Sequence, residues 1–448
     1  MAKEMTHGKP IKLIFLFMIP LLIGNIVQQL YNMADSVIVG KFVGVNALAG
    51  VGIASSLLFM SMGFVLGLCN GFSVVLAQRF GAGSKVGVRR SITTSIYLGL
   101  FFTTIITIIS VIFTRSLLVL INTPEEVIDS ALTFILISSY GMFSLMSYNL
   151  FSGILRAIGD SKTPLYFLIF SAILNAIFNF LAVAIFNFGV AGSAMSTVVS
   201  QIISSVLCAL HMFRKYEIIR PKKTDWKINW PYVWLHIKIG FPMALEFAVT
   251  AVGIIILQGA INNLGPNIVA GFTTAMKIEN IIIAAFIALA SAVSTYTAQN
   301  FGARNYKRIV SGAKSNIIIG MLVCLIFSLV LFLFWDVFVG LFVNEGEFEV
   351  RAAAKQYMLI AILNYPVLCL LITFRCLVQS LGRTVVPVLA GFSEVAMRSI
   401  GAFFLSNVLG FTGICYAPVL SWYAAFFMII TSYIFAIIKL KKQFTKKC

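Results

Sequence analysis

The chain of 448 residues is 60% hydrophobic and 13% aromatic but only 11% charged, and its mean hydropathy is +0.99. Soluble domains carry roughly 45–50% apolar and about 25% charged residues, so an ordinary soluble fold is excluded. A formal charge of +18 suits either a nucleic-acid partner or the cytoplasmic loops of a membrane protein, and the positions of the basic residues decide between them.

In chain order, apolar runs fall at 11–39, 47–78, 91–114, 127–154, 164–187, 190–213, 232–263, 268–299, 309–335, 352–374, 385–407 and 412–438. Each is long enough to cross a bilayer as a helix and far longer than a membrane β-strand, which predicts twelve transmembrane helices in an all-α integral membrane fold. The first run exceeds a signal-peptide core and lacks a small-residue cleavage site before the next, so it is read as a span.

With span ends numbered alternately, all but six of the 33 Lys and Arg residues collect on one side. Lys41, Arg115, Arg351 and Lys355 lie on the other side, and Lys277 and Arg398 lie inside spans. The positive-inside rule then places both termini in the cytoplasm of a multi-pass cell-membrane protein. Contact with anionic lipid accounts for the basic surface without nucleic acid. Cys69, Cys208, Cys324, Cys369, Cys376 and Cys415 sit in or at apolar runs, Cys448 is terminal, and no C-x-x-C pair occurs, so no disulfide framework is expected.

The halves repeat at nearly one spacing. Ala77-Gln78-Arg79-Phe80-Gly81-Ala82 matches Ala298-Gln299-Asn300-Phe301-Gly302-Ala303, and Pro20 matches Pro242. Gly159 with Pro164 matches Gly382 with Pro387, and Gly189-x-x-Gly192 matches Gly410-x-x-Gly413. Six spans per half is an even number, so both halves enter from the same side and their pseudo-two-fold axis runs along the membrane normal. The expected organisation is an N-lobe at 1–215, a cytoplasmic linker at 216–231 and a C-lobe at 232–448.

Ionisable residues inside spans are costly and need partners or a wet cavity. Six stand out: Asp35, Glu246, Lys277, Glu279, Glu394 and Arg398. Glu394 and Arg398 are one turn apart and can pair. Lys277 can pair with Glu246 or Glu279 across helices, or those acids can line a cavity. Asp35 has no local cation, and it follows Pro20, which removes a backbone bond and permits a kink. Asn175 and Asn179 share one face of the fifth span, and Thr197 lies in the sixth. With Asp35 they can form an oxygen-rich site for sodium or a cage for a proton, or simply join helices by hydrogen bonds. Tyr31 adds a polar aromatic group nearby in sequence.

Enzymatic signatures are lacking. Gly81-x-Gly83-x-x-x-Gly87 misses the phosphate-loop spacing and its Gly-Lys-Ser/Thr ending. His7, His211 and His236 show no metal spacing. No catalytic constellation is visible, and no cofactor is expected.

The pattern Pro20…Asp35-Ser36-Val37-Ile38-Val39-Gly40, the run Ala47-Leu48-Ala49-Gly50-Val51-Gly52, the Gln78…Gly81-Ala82 motif with its second copy, and Gly189-x-x-Gly192-x-Ala194 resemble the multidrug and toxic compound extrusion (MATE) family of transporters. The resemblance implies two six-helix lobes and alternating-access export of cationic, amphipathic or aromatic small molecules, by a monomer among membrane lipids, against a proton or sodium gradient. It implies a cation site at Asp35, Asn175, Asn179 and Thr197, and substrate contacts at Gln28 and Asn149, to which Tyr31, Glu246 and Glu279 are added as candidates. Thr250 and Asn364 stand near positions where relatives carry acids. The rival reading, a flippase for lipid-linked oligosaccharide or lipid, suits a basic cavity. The intramembrane residues here are instead four acids against two bases.

Overall fold

The computed structural model describes residues 4–121 and 123–445. Fourteen α-helices occur among them: α1 (Pro10–Phe42), α2 (Val45–Gly81), α3 (Lys85–Leu120), α4 (Glu125–Tyr140), α5 (Met142–Ala157), α6 (Lys162–Phe180), α7 (Gly189–Lys215), α8 (Trp230–Asn262), α9 (Pro266–Gly302), α10 (Tyr306–Gly340), α11 (Phe348–Ser380), α12 (Val385–Ile400), α13 (Ser406–Leu409) and α14 (Phe411–Thr445). Eleven spans are long and apolar enough to cross a membrane, and α4 with α5, bent by 45° at Gly141, completes the twelfth. The predicted all-α architecture is therefore observed. Helices suit this solvent because their backbone groups are all satisfied within the segment.

The repeat is written in the backbone. Gly44, Gly159, Gly189 and Gly83 have positive φ, and their counterparts Gly265, Gly382, Gly410 and Arg304 do too. At Gly83 and Arg304 the chain leaves one helix and starts the next, and there a side chain at φ 56° bears the strain that glycine avoids. One residue later Ser84 caps α3 by accepting the Gly87 N–H at 3.1 Å, and Asn305 caps α10 by accepting the Arg308 N–H at 3.2 Å. Turns of π-helix follow α6 at Leu181–Ile185 and α12 at Gly401–Leu405.

Two compact units emerge. Among the described residues, the first comprises Glu4 and Ile23–Ala248, and the second Met5–Leu22 and 249–445. Thus α1 changes unit just after Pro20, and α8 does so shortly after Pro242. Lipid tails are as apolar as leucine, so the interior of each unit is held by close packing rather than by expulsion of water. In the first unit α2 packs on α8 through Gly63, Gly67 and Gly71, spaced one turn apart. A Cβ on Gly67 would lie 2.5 Å from the Ala244 Cα, and one on Gly71 would strike the Gly240 backbone. In the second unit α9 is the spine: 67% of its apolar window is buried, against 22% for α10. Around it gather Phe272, Phe286, Tyr296, Tyr357 and Tyr365, with Met5, Ile14, Phe17 and Met18 from the start of the chain.

Each unit grips the segment that leads into a long helix. In the first, the Arg89 Nε donates to Asp225 Oδ2 at 2.8 Å, the Thr93 hydroxyl to the Asp225 carbonyl at 2.8 Å, and the Tyr97 hydroxyl to the Trp226 carbonyl at 2.8 Å. In the second, Met5 N–H donates to Gln299 Oε1 at 2.8 Å, while Arg308 donates to the carbonyls of Met5 at 3.0 Å and Gly8 at 2.8 Å. None of the six described cysteines forms a disulfide, and Cys448 lies outside the described residues.

Two expectations follow. Gly71→Leu forces α2 from α8 and lowers the melting temperature of the solubilised protein by the equivalent of about 1–3 kcal/mol or more, whereas Gly52→Leu, with open space around its Cβ, leaves it unchanged. Second, burial pushes the Asp225 carboxyl up, but the Lys222 N–H and the Arg89 guanidinium outweigh it and hold the group below the usual carboxylate range. A depressed folded value means that the stabilisation is complete above the ordinary Asp value of about 3.9 and is lost as pH falls through the folded value. Protease cleavage of the 216–229 segment should accordingly be slow and flat from neutral pH to about pH 5, accelerate only in stronger acid, and be fast at neutral pH in Asp225→Asn.

Candidate functional site

Three helices of the first unit meet at Asp35. Asn175 and Asn179, 1% and 0% exposed, point from the same face of α6, and Thr197 points from α7. The Asn179 Nδ2 donates to Asp35 Oδ1 at 2.5 Å and the Thr197 Oγ1 to Asp35 Oδ2 at 3.4 Å. Asn175 Nδ2 in turn donates to the Thr197 oxygen at 3.1 Å. The four residues singled out from the sequence thus form one network.

Its electrostatics are unusual for a membrane interior. No Lys, Arg or His pairs with Asp35 among the described residues, so its charge is answered by amide and hydroxyl dipoles alone. A lone carboxylate in a medium of low dielectric attracts a cation strongly. Two further oxygens are at hand: the Asn179 Oδ1, buried without a hydrogen-bond partner, and the buried Tyr31 hydroxyl. The Tyr31 hydroxyl lies beside Thr197 and Ser200. One carboxylate and several neutral oxygens suit a proton or a monovalent hard cation. Among the described residues no cluster of three His, Cys, Asp or Glu side chains could hold a transition metal.

Local structure aims these groups. The turn of π-helix begins two residues after Asn179; such widened turns recur at functional sites because they re-aim side chains against the regular helix. Gly192 on α7 then approaches so closely that a Cβ would lie 3.1 Å from the Ala182 Cβ in that turn. This fixes α7, and with it Thr197, against the end of α6. Nothing in Leu181–Ile185 marks the π turn in advance. Ser200 also went unnoticed, although its place one turn after Thr197 puts it on the same face.

The remaining candidates scatter. Gln28 is exposed and donates to Asn32 Oδ1 at 3.3 Å, and Asn149 donates back to the Leu145 carbonyl at 2.8 Å. Neither hydrogen-bonds to the Asp35 network. Glu246 is buried within the first unit. Glu279 belongs to the second unit, where the Tyr357 hydroxyl donates to its Oε2 at 2.7 Å. Asn364 accepts from the Tyr423 hydroxyl at 3.1 Å.

One pairing differs from the alternatives the sequence left open, and another gains a further partner. Lys277 is exposed, with its ammonium 5.5 Å from the Phe342 ring centre, and it pairs with neither acid. Arg398 pairs with Glu394 at 3.9 Å, as the spacing suggested, and Arg375 binds the same carboxylate more tightly. Arg375, one residue past the predicted end of its span, was counted with the cytoplasmic cations. It sits inside α11, where it is bound to Glu394.

The sequence model of the MatE family matches residues 20–181 and 242–404, one copy in each half. The chain is 28% identical over 392 residues to the probable multidrug resistance protein YpnP of Bacillus subtilis strain 168, covering 85% of each chain. It is 23% identical over 378 residues to the probable multidrug resistance protein NorM of Thermotoga maritima, covering 83% of this chain and 80% of that one. Its fold matches the outward-facing conformation of a multidrug resistance MATE family transporter of the MOP superfamily, with a TM-score of 0.90 at 22% identity over 98% and 97% of the two chains. The two matched stretches cover most of the chain and stand at the spacing of the repeat, so this protein belongs to the MatE family of multidrug efflux transporters.

Proposed function

We propose that the protein is a cation-coupled antiporter that exports cationic, amphipathic or aromatic compounds by alternating access, with Asp35 as the carboxylate that takes the coupling proton or sodium ion. One observation carries this reading: Asp35 is held by Asn179 and Thr197 on three converging helices and has no fixed cation. Its charge is available to a mobile ion. An acid locked in a permanent ion pair would offer nothing to exchange.

The same geometry supplies a way to move. Ion binding at Asp35 withdraws its charge from the amide of Asn179 and the hydroxyl of Thr197, and so changes what holds α1 to α6 and α7. A conformational change follows only if the ion binds the two arrangements with different affinity, and this differential contact is where the difference lies. Gln28, Tyr31, Asn149 and Glu246 are the side chains we assign to substrate contact in the first unit. In this reading the protein works as a monomer with both termini in the cytoplasm, in line with the basic residues of that side.

Purified protein in liposomes, loaded with a fluorescent organic cation and given separate sodium and pH gradients, tests the proposal. Wild type should accumulate dye uphill under one gradient, which identifies the ion. Asp35→Asn should abolish uphill transport while dye binding by the solubilised protein persists; uphill transport at the wild-type rate in that variant would falsify the assignment. Asn179→Ala should slow coupled transport about tenfold, since a hydrogen bond to a charged group contributes about 1.5–3 kcal/mol.

A further inference from the structure

The segment that joins α7 to α8 in the first unit has no task in the antiport scheme, yet it is firmly held. It contains a short 3₁₀ turn at Lys223–Trp226. Within that turn the Asp225 Oδ2 accepts the Arg89 Nε at 2.8 Å and the Lys222 N–H at 2.9 Å, and the Asp225 carbonyl accepts the Thr93 hydroxyl at 2.8 Å. A segment bound in this way presents its other side chains in fixed directions.

Those side chains are of two kinds. Trp226, Ile228, Trp230 and Trp234 are 41%, 66%, 73% and 67% exposed, far more than large apolar groups need be. Lys222, Lys223 and Lys227 are exposed beside them. Asp225 is the one acid between residues 218 and 238, and Arg89 already answers it. No acid pairs with the three lysines among the described residues, so their charge faces outward.

The neighbouring helices indicate what covers this face. The Trp226 ring meets the Tyr97 ring edge-on at 5.6 Å. From Tyr97 the exposed apolar residues Leu100, Phe101, Ile105 and Ile108 continue along α3, which is a membrane span. On α8, also a span, the spacing of Trp230, Trp234 and Phe241 puts them on one face, and all three are exposed. The aromatic surface is therefore continuous with the sides of two spans that lipid chains cover. Tryptophan favours the depth at which those chains meet wet headgroups. A neutral lipid would satisfy the rings but leave three ammonium groups without a counter-charge, whereas an anionic headgroup answers both.

We propose that residues 222–234 form a binding surface for anionic phospholipid, with Trp226, Trp230 and Trp234 seated at the headgroup boundary and Lys222, Lys223 and Lys227 on the phosphates of the adjacent leaflet. This is more than the general attraction of a basic protein to a charged membrane. The Asp225 anchorage fixes the lysines beside the rings, so one lipid can meet both. The inference is independent of the Asp35 reading, because it can be tested in the protein at rest without substrate or gradient.

Bromine on a lipid chain quenches tryptophan fluorescence on contact, which supplies the test. A chain that keeps Trp226 and has its other tryptophans replaced by Phe is placed in phosphatidylcholine nanodiscs. An equal minor fraction of the lipid is either brominated phosphatidylglycerol or brominated phosphatidylcholine. The phosphatidylglycerol should quench Trp226 more strongly. Replacing Lys222, Lys223 and Lys227 together by Gln should lower that preference by about fivefold or more, given the attraction of each lysine near an anionic surface, while Lys307→Gln on α10 leaves it unchanged. Asp225→Asn makes the segment more positive but frees it, and should weaken the preference. Should the chain with one tryptophan fold poorly, the difference between wild type and Trp226→Phe gives the same reading. Equal quenching by the two lipids, a preference that survives loss of the three lysines, or one that rises in Asp225→Asn overturns the proposal. So does an absence of quenching by either lipid, the result expected if a second copy or a soluble protein covers the rings.

Discussion

A charge inside a span must be answered by something, because the bilayer core has no water to solvate it. The two repeats of this chain meet that demand in opposite ways. In the second, Glu394 is flanked by the guanidinium groups of Arg375 and Arg398, both carried by the protein. In the first, Asp35 meets only the amide of Asn179 and the hydroxyl of Thr197. The repeat relation makes the contrast sharper. Asn179 and Arg398 both stand just ahead of a π turn on corresponding helices, and Ser200 beside Tyr31 corresponds in the repeat to Ser421, which accepts from Arg398. One duplicated scaffold thus carries tethered guanidinium groups beside its carboxylate in one copy and only neutral dipoles beside it in the other.

The fold was largely legible because its signals are long and redundant. Twelve apolar runs can hardly be missed, and a run of twenty such residues has few physical solutions other than a helix. The repeat was legible through glycine. Gly159 and Gly189 recur as Gly382 and Gly410 because each ends or begins a helix in a conformation that ordinary side chains avoid. Composition and motif spacing therefore reached the spans and the family resemblance. The composition of the Asp35 network was legible too, through the polarity of its members: in an apolar span, an Asp or a pair of Asn one turn apart is conspicuous.

Contacts between helices were a different matter. Hydrophobic periodicity locates the buried face of a soluble helix, but a helix apolar all round, as these mostly are, presents no such stripe. Whether Asn179 faced Asp35 or lipid depends on the rotation of α6, which no single stretch of sequence records. The same blindness explains Tyr357, whose hydroxyl reaches Glu279 across two helices 78 positions apart, and Arg375, whose place one residue beyond an apolar run looked like an interfacial cation. The π turns after α6 and α12 were illegible for a related reason: the extra residue in the turn is a property of packing against the next helix, and Leu181–Ile185 and Gly401–Leu405 share no marking sequence. Sequence polarity names the participants, while helix rotation names the partners.

The affiliation of α1 ties these elements together. Its first turns belong to the second unit, with Ile14, Phe17 and Met18 in that core and the preceding Met5 and Gly8 carbonyls held by Arg308. Its later turns belong to the first unit, with Asp35 held by α6 and α7. Between the two anchorages stands Pro20, which cannot donate to the ladder and so leaves the helix weakest there. A helix fixed at both ends and softened between them responds to a change at one anchorage by bending at the soft place, since neighbouring turns resist. On the proposed reading, loading or unloading Asp35 alters one anchorage and leaves the other, built on backbone carbonyls and an arginine, untouched. On that reading the chemistry of a single carboxylate is converted into a change in the path of a whole helix, and the proline decides where along that helix the change falls.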